Sequence, residues 1–398
     1  MRFTFQPADL EFRDMVRAFI AEHLPEKVAR RFKRGWRWTR EEMALWTKVL
    51  SAKGWSAPNW PVEYGGTGWT ALQKHIFEVE MWMAGAPPTH NQNFDLVGPI
   101  VYTFGTDAQK KRYLPPMLTG DVFWAQGFSE PGSGSDLASL KTRAVLEGDH
   151  YIVDGQKIWT TDANVCEGVF TLVRTSTEGK PQAGISFLMI PLDSAGVTVR
   201  PIPMLNGEMH LNEVFFDAVR VPADNLIGEE NKGWGYTKIL LAHERTASAR
   251  VPELKRDFAQ LKSYAAEAAG KGPALIESPA FRRRLAKLEI EIETLEFTVF
   301  RVLSEPSDTP SMGAASVLKV RGSELLQELS ALWVEVLGPY AEIAYPTPEG
   351  WDEPWLDELP GPWWASGVTG ALLHRRAATI YGGSNEIQRN IIARNILS

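Results

Sequence analysis

At 398 residues, with 44% hydrophobic and 23% charged side chains, the chain is long enough for two or three domains or layers and has the composition of a soluble globular protein. Its net charge of −7 argues against nucleic-acid binding, which favours a basic surface. A single cysteine, Cys166, excludes an intrachain disulfide and fits a reducing compartment. No apolar run approaches the roughly 18 residues that span a membrane, no Cys/His spacing marks a structural zinc site, and no secretory leader follows Met1. The expectation is a cytoplasmic protein with no nucleic acid, membrane or metal partner.

Apolar residues at Phe12, Met15, Val16, Phe19 and Ile20 form a one-sided helical stripe, repeated at Met43, Trp46, Val49 and Leu50. Between these stripes, Arg30-Arg31-Phe32-Lys33-Arg34-Gly35-Trp36-Arg37 reads as a solvated turn rather than a nucleic-acid patch. Residues 54–69 carry loop chemistry, with helical patterns again over 71–83 and 107–118. Residues 1–119 therefore read as a helical domain.

From Asp121 the pattern turns to strands. His150 to Val153 faces Lys157 to Trp159 across Asp154-Gly155-Gln156, which reads as a hairpin. Short strands follow over 169–173, 185–190, 197–199, 212–216 and 219–221, so residues 120–228 read as a small β-sandwich or barrel. The helical period then returns. Leu285, Leu288, Ile292, Leu295, Val299 and Val302 form one stripe; Leu318, Leu325, Leu329, Leu332 and Val336 form another. An antiparallel four-helix bundle over 229–398 accounts for them better than an intermolecular coiled coil. A Pro- and Trp-rich stretch, 339–365, interrupts the bundle; its tryptophans either cover a pocket or pin the stretch to its own helices. The fold class is α+β.

The chemistry-bearing stretch runs from Gln126 to Thr161. It opens Gln126-Gly127-Phe128-Ser129-Glu130-Pro131-Gly132-Ser133-Gly134-Ser135-Asp136 and reaches Gly155-Gln156-Lys157-Ile158-Trp159-Thr160-Thr161. Small residues let backbone N–H groups approach a ligand, hydroxyls donate to phosphate oxygens or ring heteroatoms, and Trp159 adds a flat apolar face. Together they suit a planar, phosphate-bearing cofactor.

The segment 129–136 resembles the flavin-binding signature of the acyl-CoA dehydrogenases. Residues 155–163 resemble that family's second flavin segment, and Tyr381-Gly382-Gly383-Ser384-Asn385-Glu386-Ile387-Gln388-Arg389 its C-terminal one. The blocks occur in the family's order, and the resemblance spans essentially the whole chain. It implies the same helical, β and bundle order, an FAD cofactor, an acyl-CoA substrate, and electrons passed to electron-transferring flavoprotein, as in fatty-acid β-oxidation. It further implies that Gln126, Phe128, Ser129, Gly134, Ser135, Trp159, Thr161, Gly383, Ser384 and Glu386 contact the flavin.

Two departures from the family pattern matter. Many relatives carry a glutamate after the tyrosine of the C-terminal motif, where this chain has Gly382. The resemblance implies that its backbone N–H would still polarise the thioester carbonyl. The family's second location for a general base falls in His243-Glu244-Arg245, which makes Glu244 the expected base and Arg245 its electrostatic neighbour or a simple ion-pair partner. The second departure is at the grip on the adenosine end of FAD. Homo-oligomeric relatives have Phe-Gly and Gln there; this chain reads Ser278-Pro279-Ala280-Phe281-Arg282-Arg283-Arg284 and Glu335-Val336-Leu337-Gly338-Pro339. Either Arg282–Arg284 compensate or another subunit supplies the grip.

The overall resemblance within the family is to the large-subunit type of pimeloyl-CoA dehydrogenase, which implies dimeric units in a homo- or hetero-oligomer with a distinct small subunit. Two alternatives remain at this level: an oxygen-using flavin oxidase or monooxygenase on the same fold, and a partner subunit of a hetero-oligomeric dehydrogenase.

Overall fold

The computed structural model describes residues 5–89, 91–237, 246–267, 273–304, 312–346 and 358–397. The N-terminal part contains α1 (Pro7–His23), α2 (Glu26–Lys33), α3 (Arg40–Lys53), α4 (Ala71–Ala84), α5 (Gly98–Phe104) and α6 (Asp107–Thr119). Three of these helices start and stop by the same local chemistry. Thr39, Thr70 and Thr106 accept from the backbone N–H three residues on, while Glu42, Gln73 and Gln109 reach back to the cap N–H. Each helix then ends at a left-handed glycine, Gly54, Gly85 or Gly120. Phe12, Val16 and Ile20 of α1 pack with Trp46 and Leu50 of α3 and with Ile76, Phe77 and Met81 of α4, so the periodic stripes become one core.

The middle part is a single seven-stranded sheet: β1 (Trp124–Gly127), β2 (Arg143–Glu147), β3 (His150–Thr161), β4 (Gly168–Arg174), β5 (Ile185–Pro191), β6 (Val197–Ile202) and β7 (Leu211–Pro222). Its order is β1-β4-β2-β3-β7-β6, with β5 added to β4. Alternate residues of β4 and β5 explain how it packs. Phe170, Leu172, Phe187 and Met189 meet Val97, Ile100 and Met117 of the helical part. Val169, Val173, Leu188 and Ile190 turn the other way and meet Val153, Val214, Val219 and Val221 of β3 and β7. One sheet thus curls until its two halves share a core, which is how the expected sandwich or barrel is realised.

The expected hairpin around Asp154-Gly155-Gln156 is absent, because His150–Thr161 is one continuous strand. The turn lies earlier, at Gly148 (φ +64), where Glu147 pairs with His150. Gly155 instead pairs with Phe216 just after a shift in the β3–β7 register, where Asp154 lies opposite Asp217 and Ala218. A Cβ at Gly155 would lie 2.6 Å from the Thr142 Cα, so the glycine serves close strand contact and not reversal. The Asp154 carboxylate accepts from Ala218 N at 2.9 Å and fixes the bulge. For the same reason the two short strands expected over 212–216 and 219–221 are one strand, β7.

The C-terminal part contains α7 (Val251–Ala265), α8 (Pro279–Ser304), α9 (Met312–Leu337), α10 (Val368–Arg375) and α11 (Asn385–Leu397). The two long stripes form its core with Leu254, Phe258 and Leu261 of α7. Of the Trp-rich stretch, residues 347–357 lie outside the described residues. Trp364 is buried, stacked on Tyr264 at 4.5 Å and edge-on to Trp333 at 5.6 Å, so this end of the stretch is pinned to the bundle. The basic run is not a solvated turn. Arg34 and Trp36 are buried, Gly367 N donates to Arg34 O at 3.0 Å, and Trp36 Nε1 donates to Ser366 Oγ at 3.0 Å. Residues 34–37 join the N-terminal helices to the bundle.

Candidate active site

The turn over residues 129–136 is fixed from beneath. Glu130 is buried and accepts from Lys141 N (2.6 Å), Thr142 N (2.9 Å) and the fully buried Lys157 Nζ (2.8 Å). Lys157 also donates to Phe128 O at 3.2 Å. Burial pushes the Glu130 carboxyl up, but Lys157 and the N–H donors outweigh it and hold the group below the ordinary carboxylate value. Burial pulls Lys157 down to about 8 against the pull of Glu130. Glu130 and Ser133 close the turn through paired backbone bonds. Above this base, Gly132, Gly134 and Ser135 are exposed, and no heavy atom lies within 4 Å of a Cβ built on either glycine.

The same base positions Trp159. Ile158 N donates to Ser129 O at 2.9 Å, which ties β3 to the turn. The β3–β7 register then breaks between Lys157 and Thr160, and Trp159 takes φ +61, a conformation that a bulky residue rarely adopts. The bulge turns the indole outward, leaving Trp159 56% exposed. Thr161 and Ser129 are half-buried beside it, and Gln126 is half-buried on β1. Phe128 differs from the rest of the expected set. Its ring is buried against Phe170 (5.8 Å) and Phe187 (6.5 Å), so only its backbone serves the cradle.

The C-terminal set lies at the turn between α10 and α11. Gly382 (φ +65) and Gly383 (φ +78) are left-handed, with open space around Gly382. Ser384 Oγ accepts from Ile387 N at 3.4 Å at the start of α11, and Ser384 helps hold the exposed Glu386 carboxyl below its ordinary value, after that residue's own backbone N–H. Tyr381 is held by Arg250, whose Nη2 donates to the phenol oxygen at 3.0 Å; Arg250 Nη1 in turn pairs with Glu253 at 3.1 Å. Glu244 and Arg245 lie outside the described residues.

Sheet and bundle meet through side chains that the sequence did not single out. Asp162 N donates to His210 O, the His210 and His374 rings stand 5.1 Å apart, and Arg37 Nη2 binds both Asp162 oxygens at 3.0 and 3.2 Å. Burial, then His210 and Arg37, push the His374 imidazole down to about 4, so it stays neutral at working pH. Lys157 was legible only as a charge in a strand, and nothing local marked Arg250. At the expected adenosine grip, Arg284 pairs directly with Glu335 across α8 and α9, which neutralises the carboxylate a pyrophosphate would meet.

The cradle suits a flat ring bearing phosphates: a presented indole, hydroxyls, open glycine backbone, and a rigid floor. Comparisons agree. Three acyl-CoA dehydrogenase family models match, for the N-terminal domain over residues 6–121, the middle domain over 125–219 and the C-terminal domain over 231–397. Acyl-CoA dehydrogenase IpdE1 of Mycobacterium tuberculosis is 34% identical over 394 residues, covering 97% of each chain. Among solved structures, the Tcur3481–Tcur3483 steroid ACAD superposes with a TM-score of 0.84 at 31% identity, covering 100% of this chain and 99% of that one. The ChsE4–ChsE5 complex of Mycobacterium tuberculosis gives 0.82 at 32% identity, covering 100% and 99%. The protein is therefore a member of the acyl-CoA dehydrogenase family.

Proposed function

We propose that this enzyme binds FAD in the cradle and converts an acyl-CoA thioester to its trans-2-enoyl-CoA, passing electrons to an electron-transferring flavoprotein. The observation that carries this reading is the locked 129–136 turn beside an indole presented at φ +61. Bound FAD supplies the hydride acceptor that no side chain provides. Gln126, Ser129, Trp159 and Thr161 would hold the ring, with the Phe128 backbone; Gly134 and Ser135 would meet the pyrophosphate; Gly383, Ser384 and Glu386 would close the bundle side. The open Gly382 turn leaves room for its N–H to donate to the thioester carbonyl, which acidifies the α-proton. Glu244 takes that proton, and Arg245 shapes the field around it.

A general base contributes about 10²–10⁴ in rate, so Glu244→Gln should lose that factor in turnover while retaining flavin. Near-normal turnover would remove Glu244 from this role. In the wild type, anaerobic addition of a suitable acyl-CoA should bleach the flavin absorbance.

We further infer a bulky acyl group and a hetero-oligomer. The relatives above include a steroid enzyme and two assemblies named for paired chains. The surface supports a partner: α11 exposes Ile387, Ile396 and Leu397. Flavin content and turnover of the chain alone, against the chain co-expressed with its genomic neighbour, test this. Full flavination and activity alone would refute the need for a second subunit.

A further inference from the structure

The loop between β6 and β7 and the helix α10 bring together three side chains that the dehydrogenation chemistry leaves unused. Glu208 and His210 from the loop and His374 from α10 each place one donor atom within 4.8 Å of the others. The His210 side chain is 8% exposed; its Nδ1 lies 3.1 Å from Glu208 Oε2 but off the hydrogen-bond axis. His374 Nδ1 is also buried and has no hydrogen-bond partner. Among the described residues the His374 nitrogen has no such carboxylate in reach, and a buried imidazole nitrogen left unpaired is costly unless something binds it. We propose that Glu208, His210 and His374 form a binding site for a divalent transition-metal ion of the zinc class, with a fourth position open to water.

Zinc bonds to imidazole nitrogen and carboxylate oxygen run about 2.0–2.2 Å. Donors no more than 4.8 Å apart close on a central ion by under about 1 Å each, within the reach of side-chain rotation. Two guanidinium groups lie near enough to act on the cluster, and each has its own counter-charge: Arg37 binds Asp162 at 3.0 Å, and Arg250 binds Glu253 at 3.1 Å. With the imidazoles neutral, as ligands are, Glu208 leaves the cluster one negative charge. Two nitrogens and one oxygen, with no thiolate, favour zinc, cobalt or nickel over magnesium and calcium. Because His210 O accepts from Asp162 N, a bound ion staples the β6–β7 loop to α10 directly behind the segment that carries Trp159 and Thr161. Its role is to hold sheet and bundle together, outside the bond-making steps.

The test uses the purified flavoprotein, with any partner subunit, stripped by a chelator and titrated with Co²⁺ and then Zn²⁺. The expected result is one cobalt per chain with d–d absorption to the red of the flavin bands, displaced by zinc. Saturating zinc should raise the thermal midpoint by at least about 3 °C. His210→Gln and His374→Gln should each abolish both signals, and Glu208→Gln should weaken binding at least about tenfold. No d–d bands and no stoichiometric zinc on the wild type would overturn the site, whatever the variants do. So would equal metal binding by the wild type and all three variants.

Discussion

The turns at 129–136 and 381–383, both of which the proposed function assigns to the flavin, are held in different ways. On the sheet side, one buried ion pair and two backbone donors fix the peptide chain, and the Trp159 bulge follows from that floor. On the bundle side, the glycines are open, and the turn is reached through a string of charges. Arg250 holds Tyr381, Glu253 holds Arg250, and Arg375 holds Glu253 at 2.9 Å while also pairing with Asp257. Arg256, paired with Asp257, stacks over Phe32 and so carries this network into the N-terminal helices. The sheet half is preorganised by backbone hydrogen bonds and one ion pair; the bundle half is tuned by electrostatics shared among three helices.

Four measurements sharpen that contrast. The largest effect should come from Lys157→Met, which strands Glu130 as a buried charge and should cost about 3–5 kcal/mol in urea unfolding, with loss of bound flavin. Flavin retained at wild-type affinity would show that the floor does not position the cradle. Trp364→Ala removes the stack on Tyr264 and should cost about 3 kcal/mol while leaving flavin affinity intact.

Next is acid sensitivity. Burial pushes the Glu253 carboxyl up, but Arg250, Arg375 and Arg256 outweigh it and hold the group down at about 2, against an ordinary value of 4.5. A depressed carboxyl stabilises the folded chain above pH about 4.5, and that contribution disappears as pH falls toward about 2. The stability gap between wild type and Glu253→Gln should therefore be widest near neutrality and narrow across this window; a pH-independent gap would mean that charge is not what Glu253 contributes. The smallest effect is expected for Arg284→Ala at the half-exposed pair with Glu335, under about 1 kcal/mol in stability, with any larger change appearing in flavin affinity.

Local periodicity made the helices legible. Phe12, Val16 and Ile20 or Leu285, Leu288 and Ile292 report a buried face at their own spacing. Local chemistry failed where a residue answers to a distant neighbour. Asp154-Gly155-Gln156 has turn composition, yet Gly155 is there for Thr142, and Asp154 for Ala218. Arg34 and Trp36 sit in a basic run but are buried against residues 366 and 367. The flavin-like blocks were visible because each is contiguous. Glu208, His210 and His374 were not, because the fold alone brings the last to the other two.

The contact between residues 34–36 and 366–367 has a consequence for how the chain is made. It joins segments more than 300 residues apart: a Cβ on Gly367 would strike the Gly35 backbone, and the Trp36 indole needs the Ser366 hydroxyl. During synthesis the N-terminal helices emerge early with this edge uncovered, and it stays so until residue 367 has left the ribosome. A nascent chain of this length holds an unpaired indole N–H and an open glycine seam for most of its translation. Truncation before residue 366 should therefore release an N-terminal portion prone to aggregation.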